Sequence, residues 1–379
     1  MKHWLPISAA LLALTMFSTA AVALQEPDDS PEADLPALER TVAADARDIP
    51  AAIKLAKAYR KLDQFDKAQA LYRAVLAPDS GADSSQRAEA CNGIGFIYEQ
   101  QKHYDRAIEQ YERALHFRPF WERPLLHIGS CLLDQGDYAG AEHALQNALR
   151  LAPNDASIRN CMGILFSRTG RPEAAEREYS TAVKVRPGWA PPLWNLVLLL
   201  DAQGRYRESD RYLDTILKSE PDHLDARYVR VQHLVGGREY SAAEREARKL
   251  VASHPDGAAS HEALGIALWS KQDMEGAEAE FRKALVIDPN SAGAHLGLGH
   301  VRMVQKRFAE AQECYRRAAE LDPSAADAGQ GFDRAARAHE RERFGGGCTA
   351  APNFAGSPAI SCLQCLAVIL PVVLLRRRV

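Results

Sequence analysis

An all-α solenoid, a row of stacked helical hairpins, is predicted by three observations. A proline recurs every 34 residues, at Pro119, Pro153, Pro187, Pro221, Pro255, Pro289 and Pro323. Three further series keep that interval: Ala107, Ala141, Ala175, Ser209, Ala243, Ala277 and Ala311; Gly95, Gly129, Gly163, Val197, Val231, Gly265 and Gly299; and Ala114, Ala148, Ala182, Ile216, Leu250, Ala284 and Ala318. Self-similarity at a period of a few tens of residues marks units that bury their apolar faces only against their neighbours. The composition agrees. Alanine is abundant and β-branched residues are scattered, which favours helix. At 46% hydrophobic and 26% charged over 379 residues, the chain is neither a polytopic membrane protein, nor collagen-like, nor wholly disordered.

The elements follow in order. Residues 1–23 have a short basic start (Lys2, His3), an apolar run over 9–17 and small residues at Ala21 and Ala23. This describes a cleavable secretory signal, cut after Ala23, too short in its apolar part to span a bilayer. Residues 24–48 form a linker and a half-unit helix over 35–46 that caps the array. Residues 49–325 hold eight units. Within the unit at 122–155, Leu125, Ile128 and Leu132 keep helical spacing, break at Gly136, and resume at Ala141, Leu145, Ala148 and Leu149. That pattern is two amphipathic helices joined by a turn. Proline ends each second helix because it lacks the N–H that would extend the ladder. Asn154, Asp222, Asp256, Asn290 and Ser324, directly after it, are the expected caps of the next helix. Gly in the first helix and Ala in the second allow close approach, and Tyr111, Leu145, Tyr179, Leu213, Phe281 and Tyr315 fill the space between units.

The first unit (Leu55, Ala56, Tyr59, Ala68, Tyr72) stands 39 rather than 34 residues before the second, so the extra residues are expected in a longer loop around 78–85. In units five and six, Val197, Val231, Ser209, Arg227, Arg230 and Ala247 depart from the pattern, predicting looser packing and a change of curvature. Residues 326–344 supply a polar capping helix, expected over 330–343. Residues 345–379 are a tail: Gly345 to Gly347, Cys348, a spacer, an apolar stretch over 359–375 and Arg376 to Arg378. Seventeen helical residues span about 25 Å, slightly under the ~30 Å hydrocarbon core. The terminal arginines should stay on the cytoplasmic side.

The 34-residue length and the Leu-Gly, Tyr, Ala, Phe/Tyr, Ala and Pro positions resemble the tetratricopeptide repeat. The resemblance implies a right-handed superhelix whose first helices line a concave face. In that family, ligand contacts come largely from the second, fifth, ninth and twelfth positions of the first helix. Carried onto this sequence, it points to Asn92, Phe96, Asn160, Trp194, Tyr228, Trp269 and His300 as partner-binding residues. Exposed aromatics on such a wall are costly unless covered, and the asparagine amides suit an extended peptide backbone. A carboxylate-gripping Lys/Arg set is missing. Lys57 and Arg60 are its only candidates and are expected to be solvated, so an internal apolar or mixed segment of another protein is the expected ligand. The tail resembles the Gly-Cys C-terminal sorting signals of some Gram-negative bacteria, the myxobacterial type. That resemblance implies processing near Cys348, lipidation of Cys348 and display on the outer surface. Cys362, Cys365 and the long spacer depart from it, and an ordinary inner-membrane tail anchor is the other reading.

No dinucleotide or phosphate loop, no HExxH and no CxxCH occurs. Cys362-x-x-Cys365 lies in the apolar tail, a poor place for a thiolate. Cys91, Cys131, Cys161 and Cys314 fall at small-residue core positions, with a disulfide between units as the other reading. The histidines follow no metal-ligand spacing. With a net charge of −3 and no interior basic stretch, nucleic acid is not an expected partner. Neither metal, cofactor nor catalysis is expected. The reading is an exported, surface-anchored, non-catalytic scaffold that binds other proteins or peptides. Its alternative is a periplasmic assembly factor held by an inner-membrane tail.

Overall fold

The computed structural model describes residues 35–45 and 47–344. The signal sequence, the acidic part of the linker and the tail with Cys348, Cys362 and Cys365 lie outside the described residues. Among the described residues there are eighteen helices and no strand. A capping helix, α1 (Leu35–Ala44), comes first. Eight hairpins follow: α2 (Ile49–Lys61) with α3 (Phe65–Leu76), α4 (Ser84–Gln100) with α5 (Tyr104–Phe117), α6 (Glu122–Gln135) with α7 (Tyr138–Leu151), α8 (Ala156–Arg168) with α9 (Pro172–Val185), α10 (Ala190–Ala202) with α11 (Tyr206–Ser219), α12 (Leu224–Gly236) with α13 (Tyr240–Ser253), α14 (Ala258–Ser270) with α15 (Met274–Ile287), and α16 (Ala292–Val304) with α17 (Phe308–Leu321). The capping helix α18 (Ala326–Phe344) starts earlier than the sequence pattern suggests, because Ala328 and Ala335 are fully buried against α17. No helix among the described residues is long and apolar enough to cross a membrane.

Local chemistry sets the boundaries. The residue before each proline ends the helix in an extended conformation, as at Arg118, Ala152 and Asp288. The cap falls two residues after the proline, one later than expected. Asp155 accepts from the backbone N–H groups of Ser157 and Ile158, and Ser291 from that of Ala294. Asn154, Asp222, Asp256 and Asn290 are therefore turn residues, not caps. Only part of the first unit's insertion is loop. The rest lengthens α4 to 17 residues, opened by a reciprocal capping box between Asp83 and Gln86. Each hairpin turn passes through the left-handed region, at Asp63 in the first unit and thereafter at one 34-residue register held by Lys102, Gly136, Gly170, Gly204, Arg238, Gln272 and Lys306.

The core is a file of aromatic wedges. A Cβ added to Gly265 would come within 2.8 Å of the Phe281 ring, and one on Gly297 of the next unit would also overlap it. Tyr315 is clasped in the same way by Gly299 and Gly331. Where the sequence departs from this pattern, volume is conserved. Val197 faces Leu213 and Val231 faces Ala247, all fully buried, so a larger first-helix residue is matched by a smaller partner. The bulk has one consequence: consecutive first helices come into close backbone contact along the array, and α10 with α12 do so least. Arg227 is not a defect either. It is 8% exposed, donates to the Pro221 carbonyl and pairs with Glu246 at 2.7 Å. Arg159, His261 and His295 hold the equivalent positions and donate to Pro153, Pro255 and Pro289, so in these four units the site latches the loop to its hairpin, whereas Leu125 and Leu193 take the position in two others.

Candidate partner-binding face

The first helices carry seven residues singled out by the sequence, and the structure sorts them into two groups. Three are half-buried aromatics, each leaning on a histidine of the following unit. Phe96 meets His127 edge-on at 5.9 Å, Trp194 stacks on His223 at 5.8 Å, and Trp269 lies 5.9 Å from His300. The aromatic comes from one first helix, and its histidine from the next or from that helix's cap. Successive units are thereby tied along this face while part of each ring stays accessible. The Arg60 guanidinium covers Phe96 from 4.2 Å. The sequence reading missed these histidine partners, although Phe96/His127 and Trp269/His300 share a 31-residue spacing.

The other residues are spent inside the array. Asn160 is fully buried, and its carbonyl accepts from the Asn195 amide at 2.9 Å, which seals units four and five. Tyr228 is 5% exposed and donates to Glu262 at 2.6 Å, and Glu262 also accepts from Ser291. Burial raises the Glu262 carboxyl above its ordinary range, which the two hydroxyl donors oppose. Both differ from the expectation of an open groove residue, because each sits where the neighbouring first helix crosses. His300 shares a hydrogen bond of 2.8 Å with the Tyr315 hydroxyl, and burial lowers its imidazole to about 4, so the ring is neutral. Asn92 is buried, with its Oδ1 unpartnered among the described residues.

Other polar groups are also structural. Glu99 is buried, accepts from Tyr111 at 2.6 Å and meets His127 at 2.9 Å, while His127 stacks on Tyr111 at 4.9 Å. Cys91, Cys131, Cys161 and Cys314 are buried free thiols, not disulfides, and burial pushes each of them up. Among the described residues no group of three or more His, Cys, Asp or Glu side chains could hold a metal ion. Arg60 corrects the solvated reading, since it is 8% exposed. Arg118, Trp121 and Arg123, which no periodic signal marks, stand beside it around one cleft with Lys57.

Comparison with known proteins agrees with this architecture. A family model described as the cilia and flagella-associated protein 70 C-terminal domain matches residues 9–263, and a tetratricopeptide repeat model matches 268–330. A tetratricopeptide repeat protein from Parabacteroides merdae superposes with a TM-score of 0.52 at 17% identity, covering 66% of this chain and 99% of that one. Yeast Tom70 reaches a TM-score of 0.47 at 16% identity, covering 87% of this chain and 69% of that one. The probable UDP-N-acetylglucosamine–peptide N-acetylglucosaminyltransferase SPINDLY of Petunia hybrida is 28% identical over 116 residues. The match takes in 31% of this chain and spans only 12% of that protein.

Proposed function

This chain belongs to the family described as the cilia and flagella-associated protein 70 C-terminal domain, built of tetratricopeptide repeats, and from that premise we propose a non-catalytic scaffold that holds segments of other proteins along its first-helix face. The observation that carries the reading is the pair Trp194 and Trp269: large rings, partly accessible, on first helices two units apart, one near the start of α10 and the other near the end of α14. An apolar or mixed partner segment lying obliquely across the first helices would cover both. Rigid aromatics anchored from behind are the usual energetic centres of protein interfaces. His223 and His300 provide that backing here.

A Trp194→Ala plus Trp269→Ala variant is expected to keep its far-ultraviolet circular dichroism spectrum and lose at least tenfold of the proteins recovered with the unaltered chain from an envelope fraction. Unchanged recovery would move the binding face elsewhere.

The ends set where the scaffold works. We infer export through residues 1–23 and attachment at the cell surface through Cys348. The order of glycines, cysteine, apolar stretch and arginines supports this. Intact-mass measurement of protein from fractionated membranes is expected to show a start at Leu24, a shortened tail and an acyl addition in the outer membrane. An intact tail in the inner membrane would instead support the periplasmic assembly factor.

A further inference from the structure

Each second helix stops at the same point of its unit, so its end and the turn after it line one rim of the array. Five of the seven large apolar side chains exposed among the described residues lie on that rim. Phe120, Leu151 and Val185 belong to units two to four, and Val286 and Ile287 to unit seven. Phe120 and Val286 are each 82% exposed. Apolar side chains gathered on one surface mark a contact.

Charge divides the same rim in two. Arg118, Arg150, Lys184 and Arg186 stand on its first half, all exposed. Arg118 and Arg186 lie 5.0 and 5.2 Å over the rings of Trp121 and Trp189, and none of the four pairs with a carboxylate among the described residues. Glu220, Asp222, Asp256 and Asp288 stand on the second half, also exposed, and none pairs with a lysine or arginine among the described residues. Arg118, Arg186, Glu220 and Asp288 share one 34-residue register, so the repeat changes sign along it. Glu122 and Lys218 run against the division.

We propose that this rim is an interface between two copies of the chain, laid antiparallel. With a two-fold axis between the turns after α9 and α11, Lys184 and Arg186 of one copy face Glu220 and Asp222 of the other. One turn further out, Arg150 and Leu151 face Asp256. Beyond these, Arg118 and Phe120 face Asp288, Val286 and Ile287. Each contact occurs twice, as a two-fold interface requires. Opposite charges fix that register and exclude the parallel one, in which base would meet base. An anionic lipid surface would suit the four bases and Phe120 but repel the four acids. The rim is separate from Trp194 and Trp269, so the contact does not depend on their role.

Sedimentation equilibrium of the full chain in density-matched detergent is expected to give the mass of two chains. Added salt should weaken the association. An Arg150→Glu plus Lys184→Glu variant is expected to weaken it at least tenfold with an unchanged circular dichroism spectrum, because neither side chain holds a partner among the described residues. Adding Glu220→Lys and Asp256→Lys to that variant should restore it. Carbodiimide applied to a mixture of isotope-labelled and unlabelled chains should join Lys184 of one copy to Glu220 or Asp222 of the other. A single-chain mass for the unaltered chain at every concentration would overturn the proposal. So would a two-chain mass that the charge reversal leaves unchanged, which would place the contact elsewhere. A swap that fails to restore the pair, with phosphatidylglycerol vesicles bound by the unaltered chain and not by the reversed one, would instead assign the basic half to a membrane.

Discussion

Phe281→Ala is expected to lower stability by about 3–5 kcal/mol, the range for deleting a fully buried aromatic that leaves a cavity. Phe281 is completely buried, held between Gly265 of its own unit and Gly297 of the next. Glycine has no side chain with which to refill the space, so collapse around the deletion is restricted. The damage should also be local, because stability in a repeat array is a sum over units and nearest-neighbour interfaces. Native-state hydrogen exchange is expected to show α14 to α17 opening first, with α4 to α9 protected as in the unaltered chain. A uniform loss of protection along the whole array would mean that the units do not unfold piecewise.

Raising the pH through about 9 should loosen the array between units five and six. His233 lies there with its side chain 8% exposed, 3.2 Å from Asp201 of α10 and 2.8 Å from Asp210 of α11. Arg230 pairs with Asp210 and Asp214 alongside, and Tyr206 packs edge-on at 5.2 Å. Burial alone would depress the imidazole, but hydrogen bonds and charge from the two aspartates outweigh it and lift the group to about 9. The folded value is therefore above the unfolded one. The contribution, about 3 kcal/mol by the size of the shift, is fully present below about 6.5 and is lost as the pH rises to 9. His300 acts in the opposite sense. Burial, aided by the Arg334 charge, holds it down at about 4, so its contribution is present above 6.5 and is lost as the pH falls towards 4. Denaturant midpoints measured from pH 4 to pH 10 should give a bell. Replacing His233 with Gln should cost about 3 kcal/mol at neutral pH and flatten the alkaline side. An alkaline side that survives this substitution would assign it to other groups.

The hairpins and their order were legible in the sequence because proline, glycine and alanine act there through backbone chemistry, which depends little on context. The aromatic wedges were legible for the same reason: a ring repeated opposite a glycine leaves few places to go. Orientation was less so. Asn160 and Tyr228 share the helical register of Trp194, yet a modest rotation between neighbouring first helices decides whether such a residue meets solvent or the next unit. Arg227 looked like a broken core position because its charge was read without its reach, and the guanidinium extends to a carbonyl six residues back. The Asn154 type of cap was placed one residue early because the turn after proline takes one more residue before the helix begins. The basic cleft joins Lys57 with Arg118 and Arg123 across three units, and no periodic signal links residues that meet once.

Charge also repeats along the second helices. Glu142 pairs with Arg171, Glu176 with Arg205, Glu244 with Lys271 and Glu278 with Arg307, each acid reaching the hairpin turn of the following unit. These pairs are half-exposed and individually weak. Their value is grammatical: they state which unit can follow which. Where Asp210 would confront Glu239, no such pair forms, and Asp210 turns to His233 and Arg230 instead; where Glu244 would confront Asp273, Lys271 takes the place of the arginine. Not every module is therefore an interchangeable bead. Excising unit five would place Glu176 against Glu239, so part of the linear order of the array is written into its outer edge as well as into its core.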